Sequence, residues 1–300
     1  MQEQINLSPQ SIQDHYKNNQ QAIPSEHGGL QFNPNATREL SHIGSQVHNL
    51  TFESLRAALI GVQNSCLFPG PWLITTQDIF HTWAWCAQLI LDCRSEKYED
   101  YDDAYDFKQQ LTNATIALFA NKINSNTELL PHYDRLLVGK SFDIFPYLTF
   151  PLLETTLRMV SKQYINQKGI VTKDFIAYKK TGGIKRRYAI NDKCSSARDL
   201  LDLYYRTTDQ EQKEKIDECL TCIGAEDTYD ALNQIYDWRN GFMHGSEITN
   251  FAGCSVLTLC FLILLHFHSD EFEAMREQAF YGVWHAGGER RADWSFYPPF

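Results

Sequence analysis

Seven consecutive residues, Arg239-Asn240-Gly241-Phe242-Met243-His244-Gly245, hold the side chains best suited to chemistry. Arginine offers a permanently charged, forked donor to a phosphate whose negative charge grows in a transition state. Histidine exchanges a proton close to neutral pH. Asparagine supplies an amide that can orient a phosphate or the imidazole. An arginine, an amide and a histidine at one helix end form a toolkit for cleaving a phosphodiester. In RNA the 2′-hydroxyl is a built-in nucleophile, so no metal is needed in principle.

These side chains need a helix to hold them. A helix is predicted over residues 227–244, with Leu232, Tyr236 and Met243 on one side and Ile235 beside them. Asn240 and His244 are four residues apart and share a face, whereas Arg239 is displaced by about a hundred degrees. Gly241 costs roughly 1 kcal/mol relative to Ala inside a helix, which is tolerable where a partner backbone or substrate must approach. Gly245 is suited to end the helix in a left-handed conformation.

The rest of the chain is read as helical too. Residues 1–50 are rich in Gln, Asn and Ser and form a polar leader. Residues 51–138 form an N-terminal helical region, with helices expected over 52–67, 75–93 and 102–122. A boundary is placed near residues 130–141, around Pro131 and Gly139. Beyond it, Leu153, Leu157, Val160 and Tyr164 make an apolar stripe, with Glu154 and Arg158 able to pair at i,i+4. The Gly182-Gly183 pair between two β-prone runs predicts a hairpin over residues 175–190. Helices follow over 196–205, 209–222, 227–244 and 248–268, and residues 271–300 are read as a C-terminal tail with an aromatic end. The fold class is therefore all-α, with a small β-hairpin insertion. No Gly-rich phosphate loop and no strand–helix alternation appears, which argues against a nucleotide-binding α/β fold.

Composition sets further bounds. Of 300 residues 43% are hydrophobic, enough for a sizeable core, and the net charge is −10. An acidic surface repels nucleic acid unless positive charge is concentrated somewhere. The N-terminus lacks the basic and apolar stretches of a secretory signal. The apolar run over residues 256–267 is short for a bilayer and reads as a buried helix, so no membrane partner is expected. Eight cysteines in a chain this long do not suggest a disulfide scaffold, and Cys86, Cys93, Cys254 and Cys260 sit in apolar helical segments. The expected compartment is the cytoplasm.

Arg239-Asn240-x-x-x-His244-Gly245, followed by a long apolar helix, resembles the signature of HEPN domains. Pro151-Leu-Leu-Glu154-Thr-Thr-Leu-Arg158 looks like the apolar opening helix of that core. The resemblance covers roughly residues 141–270 and does not extend over the N-terminal half, and the HEPN-like domain is set at residues 139–270. It implies an all-helical module, and many such modules are metal-independent endoribonucleases in defence, toxin–antitoxin and stress systems. It also implies Arg239, Asn240 and His244 as the catalytic set, a site formed where two such helices meet across a homodimer, and neither metal nor cofactor. One subgroup carries a tyrosine two places after the histidine, where this chain has Ser246.

The positive charge that RNA would need is found near the hairpin. Lys179, Lys180, Lys185, Arg186 and Arg187 flank the Gly-Gly turn, bracketed by Tyr178 and Tyr188, which can stack on bases. The other reading is a solvated edge protected by lysines. Cys219-Leu-Thr-Cys222 lacks a second ligand pair nearby in sequence, and His266 and His268 diverge on a helix, so structural cysteines are expected. The acidic run over residues 96–106 is read as a solvated helix start. Three functional readings stand: an endoribonuclease cleaving single-stranded RNA, a non-catalytic HEPN-like interaction module whose motif helix is only a dimer seam, and an N-terminal sensor whose ligand matters more than any cleavage. In the first, the N-terminal helices recognise a trigger or restrain the nuclease, with an unidentified regulatory partner.

Overall fold

The computed structural model describes residues 23–24, 30–31, 47–66, 76–98, 104–123, 141–179, 183–223, 225, 227–244 and 250–285. Among them the secondary structure is mostly helical, with one small β-hairpin of substance, as the patterning implied. The helices are α1 (Phe52–Cys66), α2 (Thr76–Asp92), α3 (Ala104–Ile123), α4 (Ser141–Val160), α5 (Ala197–Thr207), α6 (Gln210–Thr221), α7 (Thr228–Met243), α8 (Asn250–Phe267) and α9 (Phe272–His285). Strands β1 (Ile23–Pro24) and β2 (Leu30–Gln31) form one two-residue ladder, and β3 (Phe175–Tyr178) pairs antiparallel with β4 (Ile184–Tyr188).

Two compact units divide the chain: Met1–Arg94 with His268–Phe300, and Ser95–Phe267. In the first, α1 and α2 bury Leu55, Leu59, Trp83, Trp85 and Leu89, and Phe52 meets Phe272 of α9 edge-to-face at 5.3 Å. Helix α9 occupies part of what the sequence reading left as a tail. Residues 286–300, with the aromatic end, lie outside the described residues, as do most of the leader and the expected boundary over 130–140.

The second unit is organised around α8. Residues 252–265 of that helix are buried on every side, which is how an all-round apolar helix is accommodated in a core. Its main neighbour is α4, and Gly253 lies tight against that helix. A Cβ there would lie 2.9 Å from two ring carbons of Phe145 and 3.2 Å from the Pro146 Cα. Helix α3 also packs on α4, where Thr155 Oγ1 donates to Gln110 Oε1 at 2.9 Å. The α3 segment thus sits with α4 and α8, although the sequence reading grouped it with the N-terminal helices. No single helix among the described residues is long and apolar enough to cross a membrane.

Short polar residues start the smaller helices. Ser196, Asp209 and Asp227 accept hydrogen bonds from the backbone N–H groups of Asp199, Gln212 and Asp230, capping α5, α6 and α7. The cap on Asp227 sets the start of the motif helix, and the next sixteen residues carry it to Met243.

Candidate functional site

Helix α7 buries Ala231, Leu232, Ile235 and Phe242. Tyr236 was expected on the same side as Leu232, but it is 36% exposed. The buried stripe is narrower than the pattern suggested, and Tyr236 lies past its edge. The side chain of Met243, Gly245 and Ser246 lie outside the described residues.

Phe242, in the middle of the motif, anchors its end. The ring packs edge-to-face on Tyr147 at 4.9 Å and against Phe150 at 5.7 Å, both from α4. One turn back, Arg239 Nε donates to Glu154 Oε1 at 2.7 Å, also on α4. The second oxygen of Glu154 accepts from Arg158 at 3.4 Å, the i,i+4 pair read from the sequence. Glu154 and Arg239 side chains are 17% and 30% exposed, so the pair is partly screened rather than buried outright. Two guanidinium groups share one carboxylate, and the cluster keeps a net positive charge within an acidic protein.

Arg239 Nη1 also donates to Asn240 Oδ1 at 3.4 Å, so these two site residues touch. His244 is exposed at the helix C-cap, and its backbone N–H donates to the Asn240 and Gly241 carbonyls, each at 3.1 Å. The structure thus brings Arg239 and Asn240 into contact and sets His244 one turn onward. A guanidinium carries five N–H donors, so Arg239 retains donors for a further acceptor beyond Glu154 and Asn240.

The hairpin lies next to this helix. Lys185 Nζ sits 5.7 Å from the centre of the Tyr236 ring, and Tyr236 precedes Asn240 by one turn on the same face. The strands pair Phe175 with Tyr188, Ile176 with Arg187 and Ala177 with Arg186, and a bulge follows at Tyr178, which pairs with Ile184. Lys185 is the extra residue. It bends to Asp199 at 2.7 Å, whose other oxygen accepts from the Tyr188 hydroxyl at 2.8 Å. Burial and then this bond to Asp199 push the Tyr188 phenol well above its ordinary range. Arg186 lies 4.5 Å over the Tyr188 ring. Lys179 and Arg187 are exposed, and Lys180 lies outside the described residues. Two of the five cations, Lys185 and Arg186, are therefore engaged within the protein.

One constellation escaped sequence reasoning. Cys93, His268 and Glu271 place their ligand atoms within 4.8 Å of one another. The reading of 248–268 as one helix set His268 against His266. In fact α8 ends at Phe267, and Ser269–Glu271 forms a 3-10 turn. Residues three apart eclipse in that geometry, so His268 and Glu271 point the same way. Cys222, by contrast, donates to the Glu218 carbonyl at 3.2 Å, and Cys219 is buried in the core.

Comparison with protein-family models, with curated proteins and with solved structures finds no match for this chain.

Proposed function

We propose that the chain is a homodimeric, metal-independent endoribonuclease of the HEPN type, acting on single-stranded RNA in the cytoplasm, in host defence or a stress response. The observation that carries the reading is the treatment of Arg239. Its guanidinium is held from behind by Glu154, beside Asn240 and one turn from an exposed His244, at the end of an aromatic-anchored helix. A cation positioned in advance stabilises a developing phosphorane without reorganising during the reaction.

In this mechanism the 2′-hydroxyl attacks the adjacent phosphorus and the 5′-oxygen leaves. A 2′,3′-cyclic phosphate end results. Arg239 binds the phosphate through its remaining N–H donors, His244 moves the proton, and Asn240 fixes the guanidinium and orients phosphate or imidazole. The exposed row on α4 formed by Ile144 (54%) and Tyr147 (46%), beside Phe242, supports a protomer–protomer contact close to the motif. Tyr236, with Lys185 at its ring, offers a stacking position on the approach from the hairpin.

Purified protein is expected to cut single-stranded RNA in the presence of a chelator. His244→Ala and Arg239→Ala are each expected to slow cleavage by about a hundredfold or more. Equal trace activity in wild type and both variants overturns the reading. The non-catalytic module then stands, a reading the Glu154–Arg239 ion pair and the capping position of His244 would also serve.

A further inference from the structure

We propose that Cys93, His268 and Glu271 form a three-ligand site for a single zinc ion, in the unit that does not contain the Arg239–His244 motif. Cys93 follows the last residue of α2, and His268 and Glu271 open and close the turn before α9. All three belong to the unit formed by Met1–Arg94 and His268–Phe300.

The first argument is convergence. Cys93 Sγ lies 4.0 Å from His268 Nδ1, and Glu271 Oε2 lies 2.9 Å from that same nitrogen. A nucleophile relay would need the thiol and the carboxylate on opposite ring nitrogens, with the imidazole passing a proton between them. Here both address Nδ1. Three different donors gathered within 4.8 Å of one another suit an ion, not a relay.

The second argument is spacing. Tetrahedral zinc with ordinary bond lengths puts sulfur and nitrogen about 3.6 Å apart, and nitrogen and oxygen about 3.4 Å apart. The observed 4.0 and 2.9 Å each differ from those by roughly half an ångström or less, and the sulfur and the carboxylate oxygen lie within 4.8 Å of each other, so side-chain rotations suffice to gather the donors about one ion. The backbone holds the pair that matters most, because the Glu271 N–H donates to the His268 carbonyl at 2.9 Å and keeps both side chains eclipsed.

The third argument is charge. Cys93 is 3% and His268 0% exposed. A thiolate and a carboxylate with a divalent cation and a neutral imidazole sum to zero, which lowers the cost of burying the assembly. A sulfur, a nitrogen and an oxygen donor together match borderline zinc better than the oxygen-seeking magnesium or calcium. Glu271, 31% exposed on its side chain, marks where the fourth position reaches solvent. The ion would clip the end of α2 to the α8–α9 turn. Among the described residues no other group of His, Cys, Asp and Glu is spaced for a metal.

The test uses the full chain, stripped with a chelator, dialysed and titrated with zinc. One zinc per chain is expected by elemental analysis, with a rise in melting temperature on reloading. Cobalt in place of zinc should show a thiolate-to-metal charge-transfer band in the near ultraviolet. Cys93→Ser should abolish that band, and Cys93→Ser and Glu271→Gln should each weaken zinc binding by at least about a hundredfold. Far-ultraviolet circular dichroism checks that both variants remain folded, and Glu271→Gln sits at a half-exposed position where loss of fold is not expected. Cys222→Ser should keep the full zinc content. A wild-type chain that takes up no zinc overturns the proposal. So does a folded Glu271→Gln that binds as wild type, or loss of the ion in Cys222→Ser.

Discussion

Replacing Glu154 by Gln keeps the shape of the side chain and removes the charge that holds Arg239. At about 4 Å and an effective dielectric near 20, two unit charges attract by about 4 kcal/mol before solvation is charged against them. The 2.7 Å contact is short, yet the partners are 30% and 17% exposed, and exposed pairs return only about 0.2–1 kcal/mol. Charge-assisted hydrogen bonds reach about 1.5–3 kcal/mol. A coupling of about 1 kcal/mol lies between these limits. Glu154→Gln, Arg239→Gln and the double variant, unfolded in urea, measure it as a double-mutant cycle, and the cycle separates the Arg239 contact from the shared Arg158 contact. Kinetics supply the second readout. A guanidinium free to swing should lower kcat for RNA cleavage by roughly 10–100-fold, with KM within about twofold. A coupling below about 0.3 kcal/mol, the margin within which independent sites add, would show that Glu154 does not hold Arg239. Faster cleavage in Glu154→Gln would show that the carboxylate restrains the site instead of preparing it.

Gly253→Ala should destabilise the α4–α8 unit, since an added methyl meets Phe145 at 2.9 Å. Overpacking of about 1–3 kcal/mol, less about 1 kcal/mol gained in helix propensity, leaves a net loss of up to about 2 kcal/mol and lowers the melting temperature by up to about 8 °C, and Phe145→Leu in the Gly253→Ala background should restore part of it. A raised melting temperature in Gly253→Ala would contradict the close approach. Lys179→Gln with Arg187→Gln should flatten the log–log salt dependence of single-strand RNA binding by about 1.4, whereas Lys185→Gln should cost stability because Asp199 is buried against it. An unchanged slope would leave the hairpin as edge protection. The His48 imidazole is held below its ordinary range, by burial first and by nearby Arg276 second. The unfolded chain then binds more protons than the folded one over a window ending near pH about 6.5, so stability should rise with pH through that window and be lost as pH falls. Urea titrations of His48→Gln should show a shallower acid slope, and an identical slope would refute the assignment.

Much of this architecture is legible in the sequence because local signals and tertiary packing agree. The helices with sustained apolar periodicity begin and end within about two residues of the positions the pattern predicts, and the Gly-Gly turn does separate two strands. Legibility fails where partners are distant or where a helix ends. Glu154 is readable as an i,i+4 partner of Arg158, but its shorter bond goes to Arg239, which local spacing cannot reveal. Tyr236 follows Leu232 by four residues, yet the edge of a buried stripe depends on what packs against it. Helix α9 mixes charged and aromatic residues without a clean stripe, so nothing separates it locally from a tail. The Cys93–His268–Glu271 cluster needs the stop at Phe267 and a 3-10 turn, neither of which carries a glycine or proline signal.

The Glu154–Arg239 contact also has a kinetic side, because it closes a loop of 85 residues. Closing such a loop costs about 4 kcal/mol of chain entropy, several times what the pair returns, so the ion pair cannot lead folding. It locks only after α4 and α8 have already met. A nascent or partly unfolded chain would therefore carry every residue of the motif without the Glu154–Arg239 arrangement, which would assemble late along the folding pathway.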